Sequence, residues 1–203
     1  NIKRLIAYSS IGHMGYALAG IATGSQKGIE STIIYLSIYL IMNLGIFCCL
    51  FMMRRKNVFY ENINELSGLS KNHSVLALSF LILLFSMAGI PPLAGFFAKF
   101  YIFMTVIENK MYALAIIGLV TTVVSAFYYL RIIKIIYFDS SKDIFDEIKS
   151  FGIKIPLALS CTLIVFYFIS PTTLTDLVTS ILVINWCLKY LNLTKLEAPM
   201  QLL

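Results

Sequence analysis

Five stretches of this sequence are apolar over lengths suited to crossing a bilayer, and that limits the fold more than any other feature. Span A runs from about Leu5 to Ile21, span B from about Ser31 to Met53 and span C from about Ser74 to Ile107. Span D runs from about Tyr112 to Phe138 and span E from about Ile155 to Ser170. Backbone amides in hydrocarbon must find partners within their own segment, so such spans are helices. The expected fold class is therefore all-α, a polytopic transmembrane helix bundle of about five spans. Only 13% of the residues are charged, about half the usual share, too few to clothe a water-soluble protein of this size.

The net charge of +6 does not indicate nucleic acid, because the basic residues sit in short clusters between apolar spans. That placement is the mark of orientation signals beside lipid headgroups. Cys48, Cys49, Cys161 and Cys187 lie in apolar segments without a Cys-x-x-Cys pair, and read as small packing residues rather than metal ligands. His13 and His73 fall at different depths, which disfavours a haem held between them. The chain opens on Asn1 without the layout of a signal peptide and reads as a fragment or processed product.

Span C would be about 50 Å long as a continuous helix, against roughly 30 Å of hydrocarbon. It is interrupted by Gly89, Ile90, Pro91 and Pro92, with Gly95 just beyond. It is therefore either two short spans or one crossing broken in the middle. With a single crossing, 11 basic residues share the side of the chain start and four lie opposite; with two spans the division is nine against six. The positive-inside rule prefers the single broken crossing, with Asn1 on the cytoplasmic side. Residues 1–170 read as one transmembrane domain and 171–203 as a tail, amphipathic or divergent. The segment from Ser140 to Ser150 reads as a surface helix or loop.

Lys99 stands about half a dozen residues past the double proline, where an unpaired ammonium costs several kcal/mol. Pro91 and Pro92 have no N–H to donate, so carbonyls one turn earlier are freed. A charge beside such a break points to a path for protons or other small cations; the alternative is snorkelling to headgroups. Thr32, Tyr35, Tyr39 and Asn43 share one face of span B, able to hold a hydrogen-bonded chain or to glue helices together. Ser9, His13 and Tyr16 share a face of span A, where His13 is either a proton relay or a structural histidine. Thr121, Ser125, Tyr128 and Tyr129 line one side of span D, which ends in the anchors Arg131 and Lys134. Glu61, Glu65, Glu108, Asp139, Asp143, Asp146 and Glu147 fall in loops or at span ends, leaving no paired acid and base for catalysis on a small molecule.

Two segments carry a resemblance. Residues Asn1-Ile2-Lys3-Arg4-Leu5-Ile6-Ala7-Tyr8-Ser9-Ser10-Ile11-Gly12-His13-Met14-Gly15-Tyr16 resemble a signature of the antiporter-like subunits of respiratory complex I. Residues Ser86 to Phe100, with Gly89, Pro91, Pro92, Gly95 and Lys99, resemble the broken-helix motif of the same family. Among the family's branches the pattern is most similar to the N type, since the M type carries Glu where Lys99 stands. The L and Mrp types place histidines and a lysine in the helix matching span B. The resemblance covers about residues 1–170, the C-terminal two-fifths of a fourteen-helix chain with inverted five-helix repeats. It implies that Lys99 is the protonatable residue of an outward half-channel, that Lys3 matches another family lysine, and that the first repeat must come from outside this chain. It also implies no cofactor or metal here, with NADH, FMN, iron–sulfur clusters and quinone on partner membrane and peripheral subunits of complex I. The expected setting is a bacterial inner membrane rather than a mitochondrial one. An Mrp-type cation/proton antiporter subunit, or a non-conducting remnant, is the alternative reading.

Overall fold

The computed structural model describes residues 1–55, 58–59, 61–140, 151–167 and 169–170. All but the first residue of the expected surface segment, Ser140 to Ser150, and the tail at 171–203 lie outside the described residues.

Helix α1 (Ile2–Ala22) starts where the Asn1 side chain accepts from the Arg4 amide, at 3.1 Å. A three-residue turn, Thr23 to Ser25, then reverses the chain, and the Ser25 hydroxyl caps α2 (Gln26–Met52) by accepting from the Gly28 amide. A turn that short makes α1 and α2 antiparallel neighbours. A two-residue antiparallel pair, β1 (Arg54–Arg55) with β2 (Val58–Phe59), and a 3-10 turn (Ile63–Leu66) lead to the one-turn helix α3 (Leu69–Asn72). Span C follows as α4 (Ser74–Ala88) and α5 (Ala94–Glu108), then α6 (Tyr112–Phe138) and α7 (Phe151–Phe166). The broken helix expected from Gly89, Pro91 and Pro92 is present. Apart from the short β pair, which has no counterpart in the sequence reading, the described elements are helical.

Contacts at the two ends of the bundle decide how span C crosses. At one end the Ile2 amide donates to the Glu61 carbonyl at 2.7 Å, and the Gly68 amide donates to the Ile135 carbonyl at 3.2 Å. This near end thus gathers the start of α1, the approach to α4 and the finish of α6. At the other end Lys27 Nζ lies 3.0 Å from Glu108 Oε2, and Asn109 Nδ2 lies 3.4 Å from Ser25 Oγ. The far end thus holds the α1–α2 turn and the finish of α5. Span C enters at the near end and leaves at the far end, so it crosses once. Each half, at 15 residues, is about 22 Å long and falls short of a bilayer core by itself.

Helix α2 is the central post, buried along most of its length by α1, α5, α4 and α7. Ser160 of α7 lies beside Gly45, and Leu163, Ile164 and Tyr167 meet Ile38 and Ile41 farther along α2, so α7 runs antiparallel to it. Helix α6 is the opposite case. Ile116, Ile117, Val120, Val123, Val124 and Phe127 are all exposed. Such a face is unfavourable in water and at home among acyl chains.

The two halves of span C are joined by a small-residue contact. The Ser86 hydroxyl donates to Met42 Sδ and accepts from the Gly95 amide, both at 3.0 Å. That amide is one of the first-turn donors of α5, which no carbonyl of its own helix can reach. A Cβ on Gly95 would overlap the Ser86 carbonyl oxygen. Gly95→Ala is expected to destabilise the folded subunit by about 1–3 kcal/mol, and Ser86→Ala by about 1 kcal/mol; thermal unfolding in detergent measures both.

Candidate functional site

Helix α4 stops inside the apolar layer, and its last four carbonyls need partners from elsewhere. Gly89, at φ +85°, turns the chain into the left-handed region that a glycine adopts without steric cost. Its amide donates to the Phe85 and Ser86 carbonyls at 3.1 and 3.0 Å, and the Ile90 amide donates to Phe85 at 3.0 Å. Two carbonyls remain, those of Met87 and Ala88. In an unbroken helix they would accept from residues 91 and 92, which are both proline and have no N–H. Lys99 takes that place: its Nζ donates to Met87 O at 3.0 Å and to Ala88 O at 3.2 Å.

Lys99 is 4% exposed, so snorkelling to a headgroup is not its arrangement here. Its stem runs past Gly89, where an added Cβ would lie 3.1 Å from Lys99 Cδ. Its Nζ also stands 5.1 Å from the centre of the Tyr16 ring, within range of a cation–π attraction. Among the described residues no carboxylate lies within 4 Å of it; the two ion pairs there are Lys3–Glu61 and Lys27–Glu108. The ammonium is held by carbonyl dipoles and a ring face, not neutralised by a fixed anion.

From Tyr16 the polar contacts continue into the bundle. Its phenol shares hydrogen bonds with Thr122 Oγ1 at 2.8 Å and Thr121 Oγ1 at 3.2 Å. One turn back on α1, buried His13 places Nδ1 2.7 Å from Tyr35 Oη and Nε2 3.2 Å from Tyr129 Oη. Tyr129 is hydrogen-bonded in turn to the Ser9 hydroxyl, and the Tyr39 ring stacks on the imidazole at 4.8 Å between centroids. A neutral imidazole donates through one nitrogen and accepts through the other. The Tyr35–His13–Tyr129–Ser9 chain therefore has two hydrogen-bond polarities, exchanged when a proton enters at one end, each proton steps to its neighbour and another leaves at the other end.

The residues expected from sequence divide into two groups. His13, Tyr35, Tyr39 and Lys99 meet in one buried cluster behind the break formed by Gly89, Pro91, Pro92 and Gly95. Lys3 stands apart at the near end, half exposed, with Nζ 2.7 Å from Glu61 Oε1. That hydrogen bond, with a second from Asn1, holds the Glu61 carboxyl below its ordinary range. The contact is therefore complete above the ordinary carboxylate range and is lost as pH falls through the lowered one. Elsewhere on span B, Thr32 binds helices together, donating to Ala17 O at 3.2 Å and Gly28 O at 2.7 Å, and Asn43 keeps a buried Oδ1 without a partner. On span D, Tyr129 and Thr122 join the cluster, whereas Ser125 donates to its own helix at Thr122 O. Sequence reasoning missed Ser86 and the pairing of Lys99 with two specific carbonyls. Counting four residues back from each proline finds the second.

Cys48 and Cys49 are buried in α2 and Cys161 is half-buried on α7. Among the described residues no three His, Cys, Asp or Glu side chains group as a metal site. Tyr35→Phe removes one of the two hydroxyl partners of His13 and is expected to cost about 1–3 kcal/mol, read from thermal unfolding. Lys3→Ala, at an exposed pair, is expected to leave the unfolding temperature nearly unchanged at neutral pH.

Comparison with known proteins gives the relatives of this chain. The family model described as "NADH:quinone oxidoreductase/Mrp antiporter, TM" matches residues 1–125. NADH-quinone oxidoreductase subunit N of Pelagibacter ubique is 61% identical over 184 residues, covering 91% of this chain and 39% of the relative. Its counterpart in Rhodospirillum rubrum is 48% identical over 176 residues, covering 87% of this chain and 36% of the relative. The chain thus spans about two-fifths of the length of the curated relatives it matches. Among solved structures, a chain of respiratory complex I from Thermus thermophilus with bound aureothin aligns at a TM-score of 0.70 and 25% identity, covering 86% of this chain and 39% of that one. A chain of the Mrp complex from a Dietzia species aligns at a TM-score of 0.74 and 19% identity, covering 85% and 40%, and shares the fold.

Proposed function

This chain belongs to the membrane family shared by NADH:quinone oxidoreductase and Mrp antiporters, and from that premise we propose that it is the C-terminal part of a proton-translocating subunit of NADH:quinone oxidoreductase. Within it, Lys99 is the group that takes up and releases the proton. Residues 1–170 form the second repeat and a final helix of the longer subunit. The redox steps, from NADH through FMN and iron–sulfur clusters to quinone, belong to partner subunits. The setting is a bacterial plasma membrane.

The observation that carries this reading is the seat of Lys99. Two carbonyls freed by two prolines supply acceptors for an ammonium, and among the described residues no carboxylate pairs with it. A buried lysine held this way can lose its proton without stranding an anionic partner, and regain it without building a new site. The Tyr35–His13–Tyr129–Ser9 chain lies across the Tyr16 ring from it and offers hydrogen-bonded groups for delivery from within the subunit. Identity of 48–61% to subunit N relatives favours the oxidoreductase over an antiporter of the same architecture.

The test is Lys99→Ala in the full subunit, with NADH-driven proton translocation measured in sealed membranes and assembly checked. Translocation is expected to fall while the complex assembles; unchanged translocation with full assembly sinks the assignment. Lys99→Arg refines it, since arginine keeps the charge and the carbonyl contacts but does not release a proton near neutral pH. Translocation is expected to fail there too, with stability closer to the parent than in Lys99→Ala.

A further inference from the structure

Between Lys99 and the far end of the bundle the packing changes character over two helical turns. One turn beyond Lys99, on the same side of α5, lies Ile102, fully buried. It faces Gly20 of α1, one turn beyond Tyr16. A Cβ on Gly20 would lie 2.8 Å from Ile102 Cδ1 and would overlap Thr32 Oγ1. The missing side chain is the space the isoleucine fills. The Thr32 hydroxyl, which lies against Gly20, has its hydrogen committed to the Ala17 and Gly28 carbonyls. The layer therefore holds an alkyl chain, backbone and a spent donor.

Farther out the groups turn polar again. Thr105 donates to its own helix at Tyr101 O, and Asn109 reaches both Thr105 O at 2.8 Å and Ser25 Oγ at 3.4 Å. Ser25 is hydrogen-bonded to Thr23 at 3.0 Å, and Lys27 and Glu108 close the rim. A polar mouth, with Asn109 exposed and Thr105 still buried, thus faces the far surface, and the contact of Ile102 with Gly20 lies between it and Lys99. A buried isoleucine can change rotamer without moving a helix, and an apolar constriction this short conducts or blocks according to whether water can wet it.

We propose that Ile102, seated on Gly20, is the plug that isolates Lys99 from the far-side mouth, and that release of a proton there requires Ile102 to leave Gly20. The inference rests on reading Lys99 as the ionisable group of the path. It makes Ile102 a positioning residue, one that never carries a proton and sets when Lys99 can pass its own outward.

The experiment is thiol accessibility in the complete complex, reconstituted in sealed vesicles. Silver ion, a water-sized thiol reagent, is added on the side carrying Lys27 and Glu108, and the parent complex gives the background from native cysteines. Asn109→Cys, at an exposed position of the mouth, is expected to react above that background and Lys99→Cys is not. Adding Ile102→Ala to Lys99→Cys is expected to raise its reaction rate at least about tenfold, as removal of an apolar constriction should. Ile102→Ser is the second opening variant should Ile102→Ala fail to assemble. Reaction of Lys99→Cys with Ile102 in place overturns the plug, as does an unreactive double variant or an unreactive Asn109→Cys. Normal translocation by Lys99→Ala would remove the ion-path reading while leaving this accessibility result to stand or fall alone.

Discussion

A helix that ends within hydrocarbon has a debt of four carbonyls, and the way α4 settles it organises the rest of the molecule. The glycine turn at Gly89 satisfies the first two, and the prolines leave the last two with no backbone donor. In water those oxygens would be solvated; here each costs several kcal/mol if left bare. The Lys99 ammonium is the donor that meets them, and they in turn are what allows an ammonium to sit in an apolar interior. Each makes the other tolerable. For that exchange to work α5 must return close beside the end of α4, which the small Gly95 and the Ser86 hydroxyl permit.

The same constraint fixes the surroundings. Lys99 faces the interior, so the helices that meet it there, α1, α2 and α6, present aromatic hydroxyls and an imidazole on the adjoining faces. Their hydrogen bonds are mutual: His13 orients Tyr35 and Tyr129, and Tyr129 is anchored by Ser9. Away from this cluster the bundle is held by alkyl packing around α2, and α6 turns most of its surface outward.

Much of this was legible from local sequence. The length and apolarity of the spans forced helices, the double proline forced the break, and loop charges selected one crossing, which the end-to-end contacts of Lys27 with Glu108 and Gly68 with Ile135 bear out. The face bearing Tyr35 and Tyr39 could be read from helical spacing. What spacing could not show is which faces meet. Thr32, Tyr35 and Asn43 share a stripe on α2, yet Thr32 binds the backbone of α1 and of its own helix, Tyr35 binds the His13 side chain, and the Asn43 oxygen has no partner among the described residues. Lys3 and Lys99 are both lysines in matched motifs, and their places before span A and within span C already set one at a rim and the other at depth. Only tertiary packing shows their partners, Glu61 and the Met87 and Ala88 carbonyls. Ser86 was invisible for the same reason: its partners Met42 and Gly95 come from another helix and from beyond the break.

The two ion pairs at the ends of the bundle have a consequence for how the protein senses its surroundings. Lys3 with Glu61 and Lys27 with Glu108 lie on opposite surfaces, both largely open to solvent. Once the bundle spans a membrane, these surfaces bathe in different solutions, and mobile ions screen each pair only from its own side. A rise in salt on one face therefore loosens one clasp and leaves the other at full strength. The salt of each compartment thus acts on its own pair alone, and because both pairs are exposed the effect on the fold as a whole is small.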